Sequence, residues 1–388
     1  MKILKVAPDD ILIGGVHKRM IIVTKKLVTN GLEVDFLVAK SEGARPFTKL
    51  CKQEKIKTWV FSGVYRPSRI KDLRSFLRNV KYIVELPISI FSAIVAIKNS
   101  KCDIVHVNGL LNIVPFIAAK IIGKKICYHV IGDHYPKLLI WLTKPFFFLS
   151  DTNIFIANKL KAYYNPFCAE SKNFTLYEPL PINISKTSKS DSGFIWKEFG
   201  LETKDFIIGN VANYTPAKGW DNFLDIAFEI LKNHSEKKIV FLCVGAIVEN
   251  HKHYYKKIIN RVEKENLHDN FIFTGYRKDA FQIMQTFDLL LMPSKKEGTP
   301  LTILEAFMAD TPVVSSNCGG IQEQIISGNN GYLCNPGNIS CFVEKSLKIL
   351  NNKKIANQFK KEGKRRLNEL FTIEKHIKNL ESIYFKMM

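Results

Sequence analysis

Two glutamates, Glu297 and Glu305, are the residues of this sequence whose type and spacing best suit chemistry. They lie in one stretch, residues 297–323, together with short apolar runs and a Gly-Gly pair. Carboxylates accept hydrogen bonds from hydroxyl groups, whereas the unpaired N–H groups of helix N-termini attract phosphate. A site with both kinds of group fits a ligand that carries a phosphate and several hydroxyls, as a nucleotide sugar does.

The first part of this stretch predicts a helix. Thr299 suits the N-cap and Pro300 the first helical position, where the missing N–H of proline costs nothing. Leu301 then begins an apolar face with the spacing of a helix that packs on a sheet. Glu305 lies beside that face, so we expect a partly buried carboxylate, which normally requires a partner.

The second part of the stretch repeats this arrangement. Residues 311–316 form a short apolar run that ends in small polar residues, which predicts a strand. Gly319 and Gly320 follow, where the backbone can approach a ligand closely, and a second helix is predicted from Gln322. Two helix N-termini at one edge of a sheet would bind an anion.

This order of residues resembles the nucleotide-sugar motif of the retaining GT-B glycosyltransferases of family 4, also called glycosyl transferases group 1. The residues that carry the resemblance are Glu297, Glu305, Gly319, Gly320 and Glu323, preceded by Pro293 and Ser294. The resemblance implies an α/β fold with two Rossmann-like, doubly wound domains that face each other across a cleft. It also implies transfer of a sugar from a UDP- or GDP-sugar donor with retention of configuration.

The resemblance also assigns roles to individual residues. The catalytic candidates are Glu297, which is expected at the sugar, Lys218, which is expected at the donor diphosphate, and His129. The donor-binding candidates are Gly15, Gly245, Arg277, Gly298, Thr299, Pro300, Leu301, Glu305, Gly319 and Gly320. The family usually has an arginine a few residues before the lysine. Asn213, Tyr214 and Thr215 stand there instead, so the diphosphate has one cation fewer or takes one from elsewhere.

A predicted strand at residues 125–130 leads to further candidates near the transferred sugar. In the family a histidine commonly ends this strand, and by spacing its position falls on Ile131 here. His129 lies two residues earlier, and Asp133 and His134 lie shortly after. These three residues are alternatives for the same role.

The length of 388 residues predicts two domains of ordinary size. We predict an acceptor-side domain at residues 1–185 and a nucleotide-sugar domain at 186–370. By the resemblance, a C-terminal helix at 371–388 crosses back to the first domain. Residues 181–193 are rich in Ser and Lys without periodicity, which indicates an interdomain linker.

The cysteines and the apolar segments predict the cellular compartment of the protein. Eight cysteines without a C-x-x-C pair favour reduced thiols and a cytoplasmic protein. The N-terminal apolar run is too short for a signal peptide. A spanning helix needs roughly 20 apolar residues, and the best run, 86–97, is little more than half that length. We therefore expect a cytoplasmic protein, peripheral at most to the inner face of the plasma membrane.

The formal charge of +21 is concentrated in the first half, where residues 1–190 hold 30 Lys and Arg against 13 Asp and Glu. Within residues 66–101 a basic amphipathic segment, from Arg66 to Lys81, precedes the apolar run. This pattern favours binding to an anionic membrane surface, and an ordinary surface helix is the alternative. No nucleic-acid motif accompanies the charge.

Other activities remain as alternatives. A sugar-nucleotide epimerase or phosphorylase can use the same two-domain architecture, as can a catalytically weak, membrane-bound assembly partner. A dehydrogenase is disfavoured because the first glycine loop lacks G-x-G-x-x-G. No DxD-type acidic pair stands at a donor loop, so we expect no metal or other cofactor. The favoured hypothesis is a hexosyltransferase that acts on a glycan or lipid-linked acceptor in bacterial surface polysaccharide or lipopolysaccharide synthesis.

Overall fold

The computed structural model describes residues 1–7, 15–41, 44–62, 73–131, 137–164, 170–180, 192–202, 205–233 and 238–388. The chain divides into two compact units, of which unit 1 comprises Met1–Pro181 with Ile373–Met388, and unit 2 comprises Ile182–Thr372. The predicted boundaries, after residues 185 and 370, lie within a few residues of this division.

Unit 1 contains a parallel sheet with its connecting helices. The strands are β1 (Lys2–Val6), β2 (Glu33–Ala39), β3 (Thr58–Phe61), β4 (Ile104–Asn108), β5 (Lys125–Val130), β6 (Thr152–Phe155) and β7 (Asn173–Thr175). In the described residues they form one seven-stranded sheet of order β3-β2-β1-β4-β5-β6-β7. The helices are α1 (Gly15–Thr29), α2 (Arg45–Gln53), α3 (Leu73–Ser100), α4 (Ile113–Ile121), α5 (Lys137–Leu149) and α6 (Asn158–Tyr164).

Unit 2 has the same architecture. Its strands are β8 (Phe206–Val211), β9 (Ile239–Val244), β10 (Phe271–Gly275), β11 (Leu289–Met292), β12 (Val313–Ser316) and β13 (Tyr332–Cys334). In the described residues they form a six-stranded parallel sheet of order β10-β9-β8-β11-β12-β13. The helices are α7 (Ser192–Glu198), α8 (Trp220–Asn233), α9 (Lys252–Lys264), α10 (Ala280–Met284), α11 (Leu301–Met308), α12 (Ile321–Gln324), α13 (Ile339–Leu350) and α14 (Lys353–Leu370).

The last helix, α15 (Ile373–Met387), packs on unit 1. Its apolar residues Leu380 and Tyr384 are buried with Ile3 of β1 and Leu27 of α1. Burying a side chain of this size contributes about 1.5–3 kcal/mol. The helix therefore covers one face of the first sheet, and the opposite face packs against α3 and α4.

Side-chain alternation places different chemistry on the two faces of β1. Leu4 and Val6 point into the apolar core beneath α3 and α4, whereas Ile3 and Lys5 point toward α1 and α15. This second face changes from apolar to polar along the strands, because Lys5 of β1 is the register partner of His106 of β4.

Helix α3 differs from the prediction for residues 66–101. Residues 66–72 lie outside the described residues, and from Leu73 onward the basic and apolar segments are one helix that continues through Pro87. Within the described residues, Tyr82–Ser100 is one helix of 19 residues that is long and apolar enough to cross a membrane, with a mean hydropathy of 1.5. The expectation that no segment reaches this length was wrong, because the apolar run was counted only as far as the next lysine. One face of α3 is buried against the core through Ala93 and Ile97, but only 28% of this apolar segment is buried.

The expectation of reduced thiols also fails at one pair. Cys334 of β13 and Cys341 of α13 form a disulfide with an S–S distance of 2.07 Å. The absence of C-x-x-C pairs did not reveal this bond, because the two residues are seven positions apart and meet only where a turn returns the chain to the end of β13.

Candidate functional site

The unit 2 residues singled out in the sequence meet at the carboxyl ends of the second sheet. The strand order reverses between β8 and β11, and ligands of such sheets bind outside the carboxyl ends at this reversal. Lys218 lies in the loop after β8, and Glu297 lies in the loop after β11. The N–H of Lys295 donates to the carbonyl of Ala217 at 2.8 Å and ties the two loops together.

Lys218 and Glu297 form an ion pair in this structure. The Lys218 Nζ lies 2.8 Å from each oxygen of the Glu297 carboxylate. The buried hydroxyl of Ser294 donates to Glu297 Oε1, also at 2.8 Å. Glu297 is buried whereas Lys218 is partly exposed, so the lysine can exchange this partner for an incoming anion. Ser294 belongs to the sequence motif, but its contact with Glu297 was not predicted, because serine three residues before an acid is common in loops.

Glu305 has a different environment. It lies on α11, is half-buried, and has no hydrogen-bond or ion-pair partner among the residues that the structure describes. Burial raises the pKa of its carboxyl group above the usual range. A half-buried carboxylate without a donor requires one, and ligand hydroxyl groups can supply it.

The N-terminus of α11 was predicted one residue too early. The helix begins at Leu301 with Pro300 as its N-cap, and the N-cap forms no side-chain hydrogen bond. Thr299 is therefore not the N-cap, because Pro300 has an extended backbone with φ −68° and ψ 127°. The N–H groups of the first turn donate to no N-cap side chain and remain available to an anion.

The second predicted helix N-terminus is not an anion site. The helix that follows Gly320 is α12, which is a single turn of four residues. The macrodipole argument requires a longer helix, because the effect sums over aligned peptide units. The prediction of two anion-binding N-termini is thus reduced to one, at α11.

Three glycines bring the loops of the site close together. A Cβ on Gly219 would lie 2.1 Å from the Pro293 carbonyl oxygen, and one on Gly245 would lie 1.9 Å from that of Ala212. A Cβ on Gly319, which has φ +57°, would lie 2.0 Å from the Glu297 carbonyl oxygen. These glycines allow backbone to pack on backbone, and the approach of a ligand at Gly245 and Gly319 stays a prediction.

Two further glycines of the motif act differently. The N–H of Gly320 donates to the carbonyl of Gly298 at 2.6 Å, which fixes the turn against the Glu297 loop. At Gly298 a Cβ would meet no atom within 4 Å, so this position faces open space beside Glu297.

Arg277, predicted as a donor-binding residue, is held by two carboxylates. Its guanidinium donates to both oxygens of Asp279 and to Glu198 of α7. These hydrogen bonds, first with Asp279 and then with Glu198, raise the pKa of Arg277 above its ordinary value. The residue joins α7 to the loop after β10, and its contact with a nucleotide stays a prediction.

The remaining predicted residues belong to unit 1. His129 is buried at the end of β5, where its Nδ1 lies 3.1 Å from His106 Nε2. Gly15 is the first residue of α1. Asp133 and His134 lie outside the described residues, so the choice among the three alternatives stays open.

A metal site was not expected, and the described residues contain no group of three or more His, Cys, Asp or Glu side chains that could hold a metal ion. Metal independence stays a prediction.

Comparison with known proteins finds a family model and several curated relatives that each match part of the chain. Residues 192–366 match the family model described as Glycosyl transferases group 1. The O-antigen biosynthesis glycosyltransferase WclY of Escherichia coli is 27% identical over 229 residues, which are 55% of this chain and 61% of WclY. The Escherichia coli UDP-Gal:alpha-D-GlcNAc-diphosphoundecaprenol alpha-1,3-galactosyltransferase is 26% identical over 194 residues, 50% of this chain and 48% of that protein. The chain spans about half the length of most of the curated relatives it matches.

Comparison with solved structures covers both units. The crystal structure of HepE from Anabaena in complex with UDP matches 100% of both chains with a TM-score of 0.80 at 20% identity. This likeness shows the fold, which is the GT-B fold with two parallel-sheet, Rossmann-like domains. The fold class implied by the sequence resemblance is therefore confirmed.

Proposed function

We propose that the protein is a retaining, metal-independent glycosyltransferase of the hexosyltransferase type. It moves a sugar from a UDP- or GDP-sugar to a glycan or lipid-linked acceptor in the synthesis of a bacterial surface polysaccharide. The observation that carries this proposal is the unit 2 site, which combines the N-terminus of α11, a carboxylate on that helix without a partner among the described residues, and a partly exposed lysine in the neighbouring loop. The group 1 match over residues 192–366 supports it.

Each group has a task in binding the donor. The carboxylate of Glu305 accepts hydrogen bonds from ribose hydroxyls and so gains the partners that it lacks. The first-turn N–H groups of α11 and the ammonium of Lys218 bind the diphosphate. Glu297, released by Lys218 but still held by Ser294, accepts hydrogen bonds from the sugar hydroxyls.

The transfer step uses the same groups. The bond between the anomeric carbon and the diphosphate oxygen breaks, and its electron pair stays on the diphosphate. The acceptor hydroxyl oxygen forms the new glycosidic bond on the face that the diphosphate leaves, and its proton passes to the departing diphosphate. Lys218 and the α11 N–H groups stabilise the charge that develops on the leaving group.

A second part of the proposal concerns the acceptor side and the membrane. Helix α3 exposes an apolar row, which we call the outer face of α3 and which consists of Leu77, Val80, Ile83, Val84, Ile88, Phe91 and Val95. Its other face is buried in the core, so a membrane would contact the outer face without the helix crossing the bilayer. The basic segment Arg66–Lys81 supplies charge that an anionic lipid surface attracts. The galactosyltransferase relative, whose printed name includes a diphosphoundecaprenol acceptor, supports a lipid-linked acceptor.

A donor screen tests the proposal. The purified full chain is incubated with UDP- and GDP-sugars, with and without lipid extract, and nucleoside diphosphate release is measured in the presence of EDTA. We expect release from one donor, stimulated by lipid extract and unaffected by EDTA. Epimerised nucleotide sugar without diphosphate release would favour the epimerase alternative, and sugar phosphate as product would favour the phosphorylase. Activity lost with EDTA and restored by magnesium would overturn metal independence.

A further inference from the structure

Unit 1 contains a partly open cavity of about 30 Å³ beneath helices α1 and α15. It lies near the carboxyl ends of β1, β4 and β5, on the sheet face where the strands change from apolar to polar. Ionisable side chains dominate its lining, and they are Lys5, Arg19, His106, His129, Glu178 and His376. All six are at least nine-tenths buried. Burying so many ionisable groups opposes folding unless they are paired, so an unpaired group among them points to a function.

Most of the charge in this cavity is compensated, but one cation is not. Arg19 binds Glu178 through two contacts, Nη2–Oε1 at 2.8 Å and Nε–Oε2 at 2.7 Å. Lys5 is 4% exposed and has no hydrogen-bond or ion-pair partner within the described ranges of the chain. The cavity therefore holds two cations and one anion, with Lys5 in excess.

The ammonium of Lys5 remains charged at neutral pH. Burial lowers the pKa of Lys5 to about 8, partly offset by attraction to Glu178. Because that pKa still lies above 7, most Lys5 side chains carry a proton. An ammonium without a carboxylate in contact is a favourable place for an anion.

The histidines add a hydrogen-bond donor rather than a second charge. Burial lowers the pKa values of His106 and His129 well below the usual range, so both rings are neutral. Tyr384 Oη lies 2.5 Å from His106 Nδ1, and His106 Nε2 lies 3.1 Å from His129 Nδ1. If the phenol donates along this chain, both histidines carry their proton on Nε2. The Nε2–H of His129 is then a donor, and this atom is buried without a partner among the described residues.

His376 completes the set without adding charge. Burial lowers its pKa to about 3, and its Nδ1 lies 2.8 Å from the Tyr177 carbonyl oxygen, to which it donates. The ring is neutral, with an acceptor at Nε2. The cavity thus offers one uncompensated ammonium and one neutral N–H donor.

We propose that this cavity binds a carboxylate group of the acceptor, with Lys5 and His129 as its hydrogen-bond donors. The inference rests on the proposed function, because it names the acceptor class as an acidic sugar or another carboxylic acid. The size of the cavity selects the carboxylate. A buried water requires a cavity volume of about 10–15 Å³, so a cavity of about 30 Å³ holds the two oxygens of a carboxylate but not the four oxygens of a phosphate.

NMR of the full chain tests the site without the donor. The histidines are labelled with ¹³C at Cε1, and the protein is titrated with acetate, with acetamide and with inorganic phosphate at constant ionic strength. We expect a saturable shift of the His129 resonance with acetate and none with acetamide or phosphate. Binding raises the pKa of Lys5, so affinity for acetate should be present below pH 8 and lost as the pH rises through 8. A shift with acetamide as large as with acetate, or with phosphate alone, would overturn the carboxylate assignment.

The variant Lys5→Met isolates the ammonium, with Lys98→Met as the matched control on an exposed residue of α3. We expect acetate to bind Lys5→Met about tenfold more weakly or worse, since charged hydrogen bonds are involved, and Lys98→Met to bind it normally. A merely structural Lys5 would give a lower Tm on substitution. An uncompensated buried ammonium predicts an unchanged or higher Tm, because methionine has a similar length without the desolvation cost. A lower Tm with unchanged acetate binding would overturn the proposal.

Galacturonate and galactose extend the test to acceptors. We expect galacturonate to compete with acetate for the His129 shift and galactose not to compete. Failure of galacturonate to compete would overturn the acidic-sugar class. The outcome is independent of the donor screen, because nucleoside diphosphate release measures unit 2, so the two proposals can fail separately.

Discussion

In both sheets the strand order reverses at one point, but the two units place different kinds of residue there. In unit 2 the groups near the reversal between β8 and β11 lie in loops, and three glycines pack those loops backbone to backbone. In unit 1 the groups near the reversal between β1 and β4 are buried side chains of the strands and of the helices that cover them. We therefore expect one fold to present a ligand either with an edge of backbone amides, as in unit 2, or with a buried, partly open polar pocket, as in unit 1.

This difference in burial predicts different consequences when charge is removed. The side chain of Lys218 in unit 2 is 31% exposed, whereas that of Arg19 in unit 1 is 9% exposed. The two carboxylates are equally buried, but water can take the place of the partly exposed Lys218, and Glu297 also keeps its hydrogen bond from Ser294. The space left by the buried Arg19 is less accessible to water. We therefore expect unit 1 charges to affect stability and unit 2 charges to affect turnover.

The largest effect should follow from Arg19→Met. Removing one partner of a buried ion pair costs about 3–5 kcal/mol in unfolding free energy, because Glu178 is left without a partner. The measurement is urea unfolding of the full chain. The double variant Arg19→Met with Glu178→Leu should recover most of the loss. Lys25→Met on the same helix breaks the more exposed pair with Glu54 and should cost less than about 1 kcal/mol. Equal costs for the two single variants would remove the contrast between the units.

The next largest effect should follow from Lys218→Ala, now on turnover. The developing diphosphate charge loses its nearest cation, and removal of such a group costs about 10²- to 10³-fold in kcat. Lys296→Ala, an exposed neighbour, is the control and should retain activity. Steady-state kinetics and a thermal melt are measured together. A large loss of Tm with little loss of kcat would show that Lys218 has the structural role assigned here to Arg19.

The prediction for Glu305→Gln sharpens the assignment within unit 2. Donor binding should weaken by about tenfold or more, because charged hydrogen bonds contribute about 1.5–3 kcal/mol. Ribose hydroxyls favour the ionised carboxylate, so donor affinity should fall as the pH decreases through the raised pKa of Glu305. Calorimetric titration with the nucleoside diphosphate at several pH values measures both effects. The glutamine variant should lose this pH dependence, and a variant with the wild-type profile would place the titrating group elsewhere.

The strands and the unit 2 motif were predictable because they depend on contiguous residues. The bounds of β5 and β10 were predicted correctly, since each is a short, largely apolar run that follows a polar residue, Lys124 or Asn270. Glu297 and Glu305 were identified as site residues from the spacing between them in the sequence. The start of α11 was missed because proline adopts an extended conformation before a helix as readily as the first helical conformation.

The unit 1 pocket could not be predicted, because its residues are distant in sequence. Lys5 and His106 are 101 positions apart and become neighbours only through the register of β1 and β4. His376 joins them from a helix near the end of the chain. Alternation along each strand marks one polar position among apolar ones, but it does not reveal which polar positions meet.

A smaller effect should distinguish packing from strain at the glycines of unit 2. Gly319→Ala and Gly337→Ala both place a side chain at positive φ, which costs about 1–2 kcal/mol. Only at Gly319 would the Cβ also meet a backbone carbonyl, that of Glu297. We expect Gly319→Ala to lose more stability than Gly337→Ala because of this contact, and to lose donor affinity as well, by about fivefold, whereas Gly337→Ala should keep its donor affinity. Equal donor affinities would show that the packed loops are not needed for binding.

We expect the smallest effects per residue for substitutions that weaken membrane binding. These lie on α3, away from the pocket of unit 1. Basic residues near an anionic surface contribute about 1 kcal/mol each, or about fivefold in partitioning. Changing Arg74, Arg78 and Lys81 to glutamate should therefore abolish sedimentation with anionic liposomes. Because these charges act within a Debye length of about 10 Å at 0.1 M salt, binding of the wild type should weaken as salt increases.

The outer face of α3 should contribute separately from the charge. Phe91→Ser removes an exposed apolar side chain from this face and should weaken binding at both low and high salt. Phe385→Ser on α15 removes a similarly exposed phenylalanine from another surface of unit 1 and should leave binding unchanged. The measurement is sedimentation with vesicles of neutral and anionic phospholipid over a range of salt concentrations. Equal binding to neutral and anionic vesicles, or equal losses in the two phenylalanine variants, would contradict docking through α3. The basic half would then have no membrane role, and a soluble acceptor would be favoured for the carboxylate pocket.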